Sequence, residues 1–254
     1  MNIGAIILAA GLGKRIRKVS QGKPKFLVTL KSMPLITYPL RILKKVGVKE
    51  IVIVVPGGWM EETLGIVQEL GLYNTTIIEN NRFWRENGYS LYLGLKHSSR
   101  ENDVIVLSMV DHLYTRELVL KIINTLLVGN DIMVVGGDSR ALFVDIEEAT
   151  KIAVRDNDVI VDIGKHLKEY DYIDVGVMAT KPDMINYIGK LVETEEILSL
   201  NKIIRKLSSS GKIRVADVTG LYWTEIDTDD DYYEVISGRK KIVLYKVLEE
   251  LGGR

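Results

Sequence analysis

The sequence predicts an α/β protein organised on a mostly parallel sheet, and two observations carry that expectation. Short apolar runs alternate with stretches of helical periodicity through the first half of the chain, the pattern of a parallel sheet covered on both faces. After Gly136 the pattern turns antiparallel, with alternating residues set around a turn-rich centre.

The first strand is expected at Ile3 to Ala10, whose β-branched and long aliphatic residues suit burial on both faces. It breaks into Gly11-Leu12-Gly13-Lys14-Arg15, where glycines let the backbone turn tightly against a ligand. Lys23-Pro24-Lys25-Phe26-Leu27 follows, so cations gather beside the turn. Such a loop suits a polyphosphate: freed backbone N–H groups face phosphate oxygens, Arg15 offers a planar fork of donors, and Lys25 adds a point charge. A Walker A loop is excluded because one residue separates the glycines and Lys14 precedes Arg15 rather than Ser or Thr. A dinucleotide fingerprint is excluded because Ile16 stands where a third small residue belongs, and Leu30-Lys31-Ser32-Met33 holds no acid.

A helical face follows at Leu35 to Val46 and ends at Gly47. Further strands are expected at Glu50 to Pro56, Thr75 to Glu79, Val104 to Val110 and Ile132 to Gly136, which places a ligand at their carboxyl ends. Between them, Asn80 to Tyr92 brings polar amides and a glycine to the start of a helix. At the end of the fourth strand, Asp111 is well placed for a metal, since Mg²⁺ favours one or two carboxylates plus phosphate oxygens; a cap for the helix near Thr115 is the plainer reading. His112 suits packing or support of Asp111 better than ligation. The insertion pairs Thr150 to Arg155 with Val159 to Ile163 around Asp156-Asn157-Asp158, then adds a strand at Tyr172 to Met178 as an acceptor wall. Apolar Ile226 precedes Asp227 as Val110 precedes Asp111, so a second strand can deliver a carboxylate to the same metal. Asp229, Asp230 and Asp231 read as first-turn acids of a closing helix capped by Thr228. The tail from Arg239 to Leu251 is amphipathic and stops at Gly252-Gly253.

Composition narrows the function classes. The 34 basic and 34 acidic residues cancel, so no global field favours nucleic acid or an anionic membrane. The absence of cysteine rules out disulfides, thiolate metal sites and cysteine catalysis. With no signal peptide and no apolar run approaching the roughly 18 residues of a membrane span, the expected location is cytoplasmic. At 254 residues one large domain is favoured.

Leu8-Ala9-Ala10-Gly11-Leu12-Gly13-Lys14-Arg15 with Lys23-Pro24-Lys25 resembles the signature of the sugar-phosphate nucleotidyltransferases, whose fold is a Rossmann-like mixed sheet flanked by helices. The resemblance narrows at Asn87-Gly88-Tyr89-Ser90-Leu91, Val110-Asp111-His112-Leu113-Tyr114, Phe143 to Lys151, Asp162 to Lys165 and Asp174-Val175-Gly176-Val177. These blocks look like those of the CTP:inositol-1-phosphate cytidylyltransferases and span most of residues 3 to 231.

Several expectations follow from the resemblance. Leu8, Ala9, Ala10, Gly11, Gly13, Lys14 and Arg15 would hold the nucleotide, and Asn87, Gly88 and Ser90 its base; a helix cap with aromatic packing is the alternative for the last three. Lys25 and Arg15 would carry the catalysis, Asp111 and Asp227 a Mg²⁺ ion. Lys165, Lys151, Asp174 and Gly176 would face the acceptor, although either lysine could be a solvated strand residue. The implied reaction joins CTP and inositol 1-phosphate to give CDP-inositol and pyrophosphate, for solutes of the di-myo-inositol phosphate type. Residues 1–136 would form the nucleotide-binding half, 137–228 the acceptor-binding half and 229–254 a helical tail of one domain. Many relatives continue from the tail into a membrane-bound CDP-alcohol phosphotransferase, so this chain is either a stand-alone enzyme or a piece of a longer bifunctional protein. A homodimer through the insertion or the tail is an open expectation. The rival readings are a choline-phosphate or sugar-1-phosphate nucleotidyltransferase, with Phe83, Trp84, Tyr89 and Tyr92 available for a choline cage, and a non-catalytic nucleotide-sensing module.

Overall fold

The computed structural model describes residues 1–11 and 13–252; Leu12 of the glycine loop and Gly253 of the terminating pair lie outside them. The strands in chain order are β1 (Ile3–Leu8), β2 (Thr29–Leu30), β3 (Met33–Pro34), β4 (Glu50–Pro56), β5 (Thr75–Asn80), β6 (Val104–Met109), β7 (His112–Tyr114), β8 (Met133–Asp138), β9 (Lys151–Arg155), β10 (Val159–Gly164), β11 (Tyr172–Thr180), β12 (Ile213–Asp217) and β13 (Trp223–Glu225).

A mixed sheet of nine strands runs in the order β5-β4-β1-β6-β11-β8-β12-β10-β9. Within it β5, β4, β1 and β6 are parallel, and β12 is parallel to β8. Alternate residues of β1 divide between two cores. Ile3, Ala5 and Ile7 enter one with the helix Thr37–Val46, while Ile6 and Leu8 enter the other with Leu91 and Leu95 of the helix Glu86–His97. A strand covered on both faces must be apolar throughout, which is why Ile3 to Ala10 reads as an unbroken run. Each such aliphatic side chain contributes about 1.5–3 kcal/mol by burial.

Two features were not legible locally. The strand expected at Tyr172 to Met178 forms, but β11 extends to Thr180 and lies inside the sheet, antiparallel to both β6 and β8, with Asp174, Gly176 and Met178 bordering a cavity described below. Its neighbours cover both edges, a pairing that local periodicity does not encode. The strand β12 was not anticipated, because Ile213–Asp217 is short, carries charges at Arg214 and Asp217 without period-two alternation, and follows a long helical stretch. The hairpin β9–β10 forms as expected, turning through Asn157 and Asp158 in the left-handed region. Among the described residues no helix is long and apolar enough to cross a membrane.

Candidate active site

Parallel neighbours β1 and β6 end side by side, and the chain leaving each one borders a cavity of about 410 Å³. Leu8, Ala10, Gly11, Lys25, Asn87 and Asp111 are among its lining residues. Two short strands bring the distant carboxylates together: β7 and β13 pair antiparallel, with His112 opposite Glu225, and the Ile226 amide donates to the Asp111 carbonyl oxygen at 2.9 Å. Asp111 and Asp227 therefore lie together at one end of the ladder, where the chain enters β7 and leaves β13.

Lys25 enters between them from the short turn Lys25–Leu27 that follows Pro24. Its Nζ donates to Asp111 Oδ2 at 2.5 Å and to Asp227 Oδ1, while the ammonium is nearly closed off from solvent. Burial works against the charge, yet the two carboxylates outweigh it and hold the lysine above its ordinary value. Burial likewise opposes ionisation of Asp111, but Lys25 and His112 hold its carboxyl well below the usual range. His112 shares a 2.6 Å hydrogen bond through Nδ1 with Asp111 Oδ1. Burial would lower its pKa, but Asp111, Glu225 and Asp174 lift it to about 9. Arg15 reaches Asp227 from the glycine loop and touches Glu148 Oε2 at 3.4 Å.

A second cavity of about 210 Å³ opens beyond the carboxylates and shares Asn87, Met109 and Asp111 with the first. Lys165, Asp174, Gly176, Trp223 and Glu225 also line it. Lys165 lies 3.5 Å from Glu148, so Glu148 bridges the glycine-loop arginine and the cavity lysine. Burial raises the pKa of both Asp174 and Glu225, the Gly176 amide and His112 opposing it at Asp174 and His112 at Glu225. Gly176 has φ +69°, and a Cβ there would lie 2.4 Å from the His112 ring, so the position requires glycine twice over.

Residues 5–167 of this chain match the MobA-like NTP transferase domain. The chain belongs to that family. It is 31% identical over 230 residues to a bifunctional IPC transferase and DIPP synthase of Rubrobacter xylanophilus, covering 90% of this chain and 50% of the relative. A protein of the same name from Thermococcus kodakarensis is 32% identical over 229 residues, covering 89% and 48%. The chain thus spans about half the length of these curated relatives. Among solved structures, the inositol-1-phosphate CTP transferase from T. maritima superposes with a TM-score of 0.83 at 29% identity, covering 97% of this chain and 96% of that one.

As a nucleotidyltransferase of this family, the protein has the mixed α/β fold its glycine loop implied. Several expected residues are nevertheless placed differently. Ala9 is fully buried and its amide donates to the Val54 carbonyl oxygen at 2.8 Å, so that N–H is spent within the fold. Gly88 does not face the first cavity: a Cβ would lie 2.5 Å from the Leu198 carbonyl oxygen, so its smallness serves helix packing. Asn87 and Ser90 line the cavity while holding internal bonds, Asn87 Oδ1 accepting from the Leu200 amide at 2.8 Å and Ser90 Oγ from Asn80 Nδ2 at 2.9 Å. Gly11, Gly13, Lys14 and Arg15 border a neighbouring cavity with Phe83 and Trp84. Lys151 is set apart from the second cavity, its Nζ donating to the Glu147 carbonyl oxygen at 3.3 Å, whereas Lys165 borders it.

Nucleotidyltransferases generally work with a divalent metal, and the donors suit one. Asp111 and Asp227 already meet at a single cation, the Lys25 ammonium. Among the described residues no cluster of three or more His, Cys, Asp or Glu could hold a metal by itself. A pair of carboxylates open to a cavity matches an ion that completes its shell with water and substrate oxygens. Glu225 and Glu148 were not foreseen. The period-two spacing of Glu225 and Asp227 about buried Ile226 puts both acids on one face, a signal present in the sequence.

Proposed function

We propose that the protein is a cytidylyltransferase that transfers CMP from CTP to inositol 1-phosphate, releasing pyrophosphate and forming CDP-inositol. The observation that carries this reading is the convergence of Lys25, Asp111 and Asp227 where the two cavities meet, the second being lined by carboxylates with no aromatic cage among the described residues. The relatives' names and the T. maritima neighbour support the choice of CTP and inositol 1-phosphate.

In the proposed reaction an oxygen of the acceptor phosphate attacks the α-phosphorus in line. A new P–O bond forms, the α–β bridging bond breaks, and its electrons leave on pyrophosphate. The acceptor is already an anion at neutral pH, so no side chain need remove a proton. Catalysis consists of holding two anions together and neutralising the charge on the transferred group. Each unit-charge repulsion at 4 Å amounts to about 4 kcal/mol at an effective dielectric of 20, so several cations are required.

Lys25 would exchange a carboxylate for an α-phosphoryl oxygen, Arg15 would hold the β- and γ-phosphates, and Lys165 the acceptor phosphate. Gly11 and Gly13, with Leu8, Ala10 and Lys14, would shape the triphosphate loop, and Asn87 and Ser90 the base side. Bound Mg²⁺, held by Asp111 and Asp227, would supply Lewis-acid neutralisation of the phosphate oxygens. Asp174 and Glu225 would accept hydrogen bonds from inositol hydroxyls beside Gly176. The nucleotide half would comprise residues 1–136 and the acceptor half 137–228, and CDP-inositol would pass to a membrane-bound CDP-alcohol phosphotransferase.

Choline phosphate fits less well. A quaternary ammonium needs aromatic faces. Phe83 and Trp84 are exposed at the glycine-loop cavity, Tyr89 stacks on Tyr92 beneath Arg85, and among the described residues Trp223 is the one Phe, Tyr or Trp bordering the acceptor side.

Pyrophosphate release with Mg²⁺ tests the reading, crossing CTP, UTP, dTTP and ATP against inositol 1-phosphate, phosphocholine and glucose 1-phosphate. Release confined to CTP with inositol 1-phosphate is the expected outcome. Release with another pair would move the substrate assignment, and silence with nucleotide binding intact would favour a sensing module.

A further inference from the structure

His112 is held more firmly than packing alone requires. One ring nitrogen meets Asp111 Oδ1 at 2.6 Å, and the other lies 3.8 Å from Glu225 Oε2. Trp223 stacks on the ring, with centroids 6.3 Å apart and planes within 3°. The Trp223 indole is itself anchored, Nε1 donating to Asp138 Oδ2 at 2.8 Å. Gly176 closes the remaining side, its missing side chain leaving the space the imidazole fills. The register of β7 against β13 sets His112 opposite Glu225, so the ring spans two carboxylates, Asp111 lining both cavities and Glu225 the second but not the first.

Each carboxylate has a different neighbourhood. Asp111 divides its oxygens, Oδ1 to His112 and Oδ2 to Lys25, so the imidazole fixes which oxygen is offered toward Asp227. Glu225 has no side-chain donor within hydrogen-bond reach among the described residues; His112 is its nearest cation. We infer that His112 is a positioning residue that orients Asp111 on the phosphoryl side and Glu225 on the acceptor side, tying the two half-sites through one ring. This inference rests on the reading of the two cavities given above. A carboxylate freed of its outer partner rotates among orientations, and restoring the productive one costs affinity; removal of such partners typically weakens metal binding or activity about 10- to 100-fold.

Amide replacements separate the two arms, because an Asn amide nitrogen stands near the place of Nδ1 and a Gln amide nitrogen near that of Nε2. The measurements are Mn²⁺ affinity in the presence of CTP, followed by the Mn²⁺ paramagnetic resonance signal, together with kcat, the KM for inositol 1-phosphate, and Tm. His112→Asn should keep Mn²⁺ affinity near wild type and raise the acceptor KM about 10-fold, whereas His112→Gln should weaken Mn²⁺ about 10-fold with less change in that KM. His112→Ala should lose both. A folded His112→Ala protein with both quantities unchanged would overturn the inference, as would equal losses in His112→Asn and His112→Gln that track a lowered Tm. If wild type makes no CDP-inositol, the functional reading fails instead, and the Mn²⁺ measurement still decides whether His112 orients Asp111.

Discussion

Two buried lysines meet aspartates within five residues of one another, and they are built on opposite plans. Lys240 binds Asp231 Oδ1 at 2.5 Å, while Asp231 Oδ2 accepts from the amides of Asp227 and Thr228 at 3.0 and 2.9 Å and from the Thr228 hydroxyl at 2.8 Å. Thr228 Oγ1 accepts in turn from the Asp231 amide at 3.0 Å, completing a capping box at the helix Asp229–Ile236. Lys25 binds Asp111 and Asp227, and among the described residues no backbone amide donates to either carboxylate. Their donors are Lys25, Arg15 and His112 alone. Donors fixed to the backbone stabilise a fold, whereas side-chain donors can be exchanged for a ligand.

Activity should break the first cluster far more than the second. Lys25→Ala should lower kcat about 10²- to 10³-fold, the scale for losing a donor aimed at developing charge, with a smaller rise in the KM for CTP. Steady-state kinetics decide this, and an unchanged kcat would remove Lys25 from the chemistry.

Stability should reverse the order. Asp231→Asn leaves Lys240, whose side chain is 3% exposed, without a counter-charge. Breaking such a pair costs about 3 kcal/mol, read from urea denaturation, while kcat of the folded variant should stay within about threefold of wild type. A fall in kcat as large as that from Lys25→Ala would erase the distinction between the clusters.

The sequence made this division partly legible. Asp227 stood apart from Asp229, Asp230 and Asp231 because an apolar residue precedes it, and Thr228 was recognisable as a cap from its type and position. Strands β1, β4 and β6 were legible because burial on both faces makes them continuously apolar. The pairing of β6 with β11 was not, since strand order depends on contacts far apart in sequence. Ala9 and Gly88 share the motif's spacing with cavity residues, but spacing does not say which side of the backbone is occupied. The tie from His112 to Glu225 arises only once β7 meets β13.

Acid should sharpen the comparison. Burial pushes the Asp231 carboxyl up, but bonds from Lys240, Thr228 and the Asp227 amide outweigh it and hold the pKa below the ordinary value. A carboxyl depressed in the folded state contributes stability that is present above its unfolded pKa, near 3.9, and is lost as pH falls through the folded value. Wild type should therefore lose stability below about pH 4 with a slope of up to about 1.4 kcal/mol per pH unit from this group. Asp231→Asn should lack that contribution, so the two proteins' unfolding free energies should converge on acidification. Parallel curves would show that Asp231 is not bound in this way.

The smallest effect is expected at the rim, where Glu148 touches Arg15 at 3.4 Å and Lys165 at 3.5 Å. All three side chains are about half exposed, so water screens the pairs and Glu148→Gln should change stability by no more than about 0.5 kcal/mol. Ligand binding should respond differently. Glu148 neutralises the two cations assigned to the leaving and incoming phosphates, and its carboxylate must release them before they reach those anions. Removing its charge should lower the KM for CTP and for inositol 1-phosphate about two- to threefold, with a steeper salt dependence. A rise in either KM would mean that Glu148 holds Arg15 and Lys165 in their working positions, and the rim would then resemble the cap more than the exchangeable cluster.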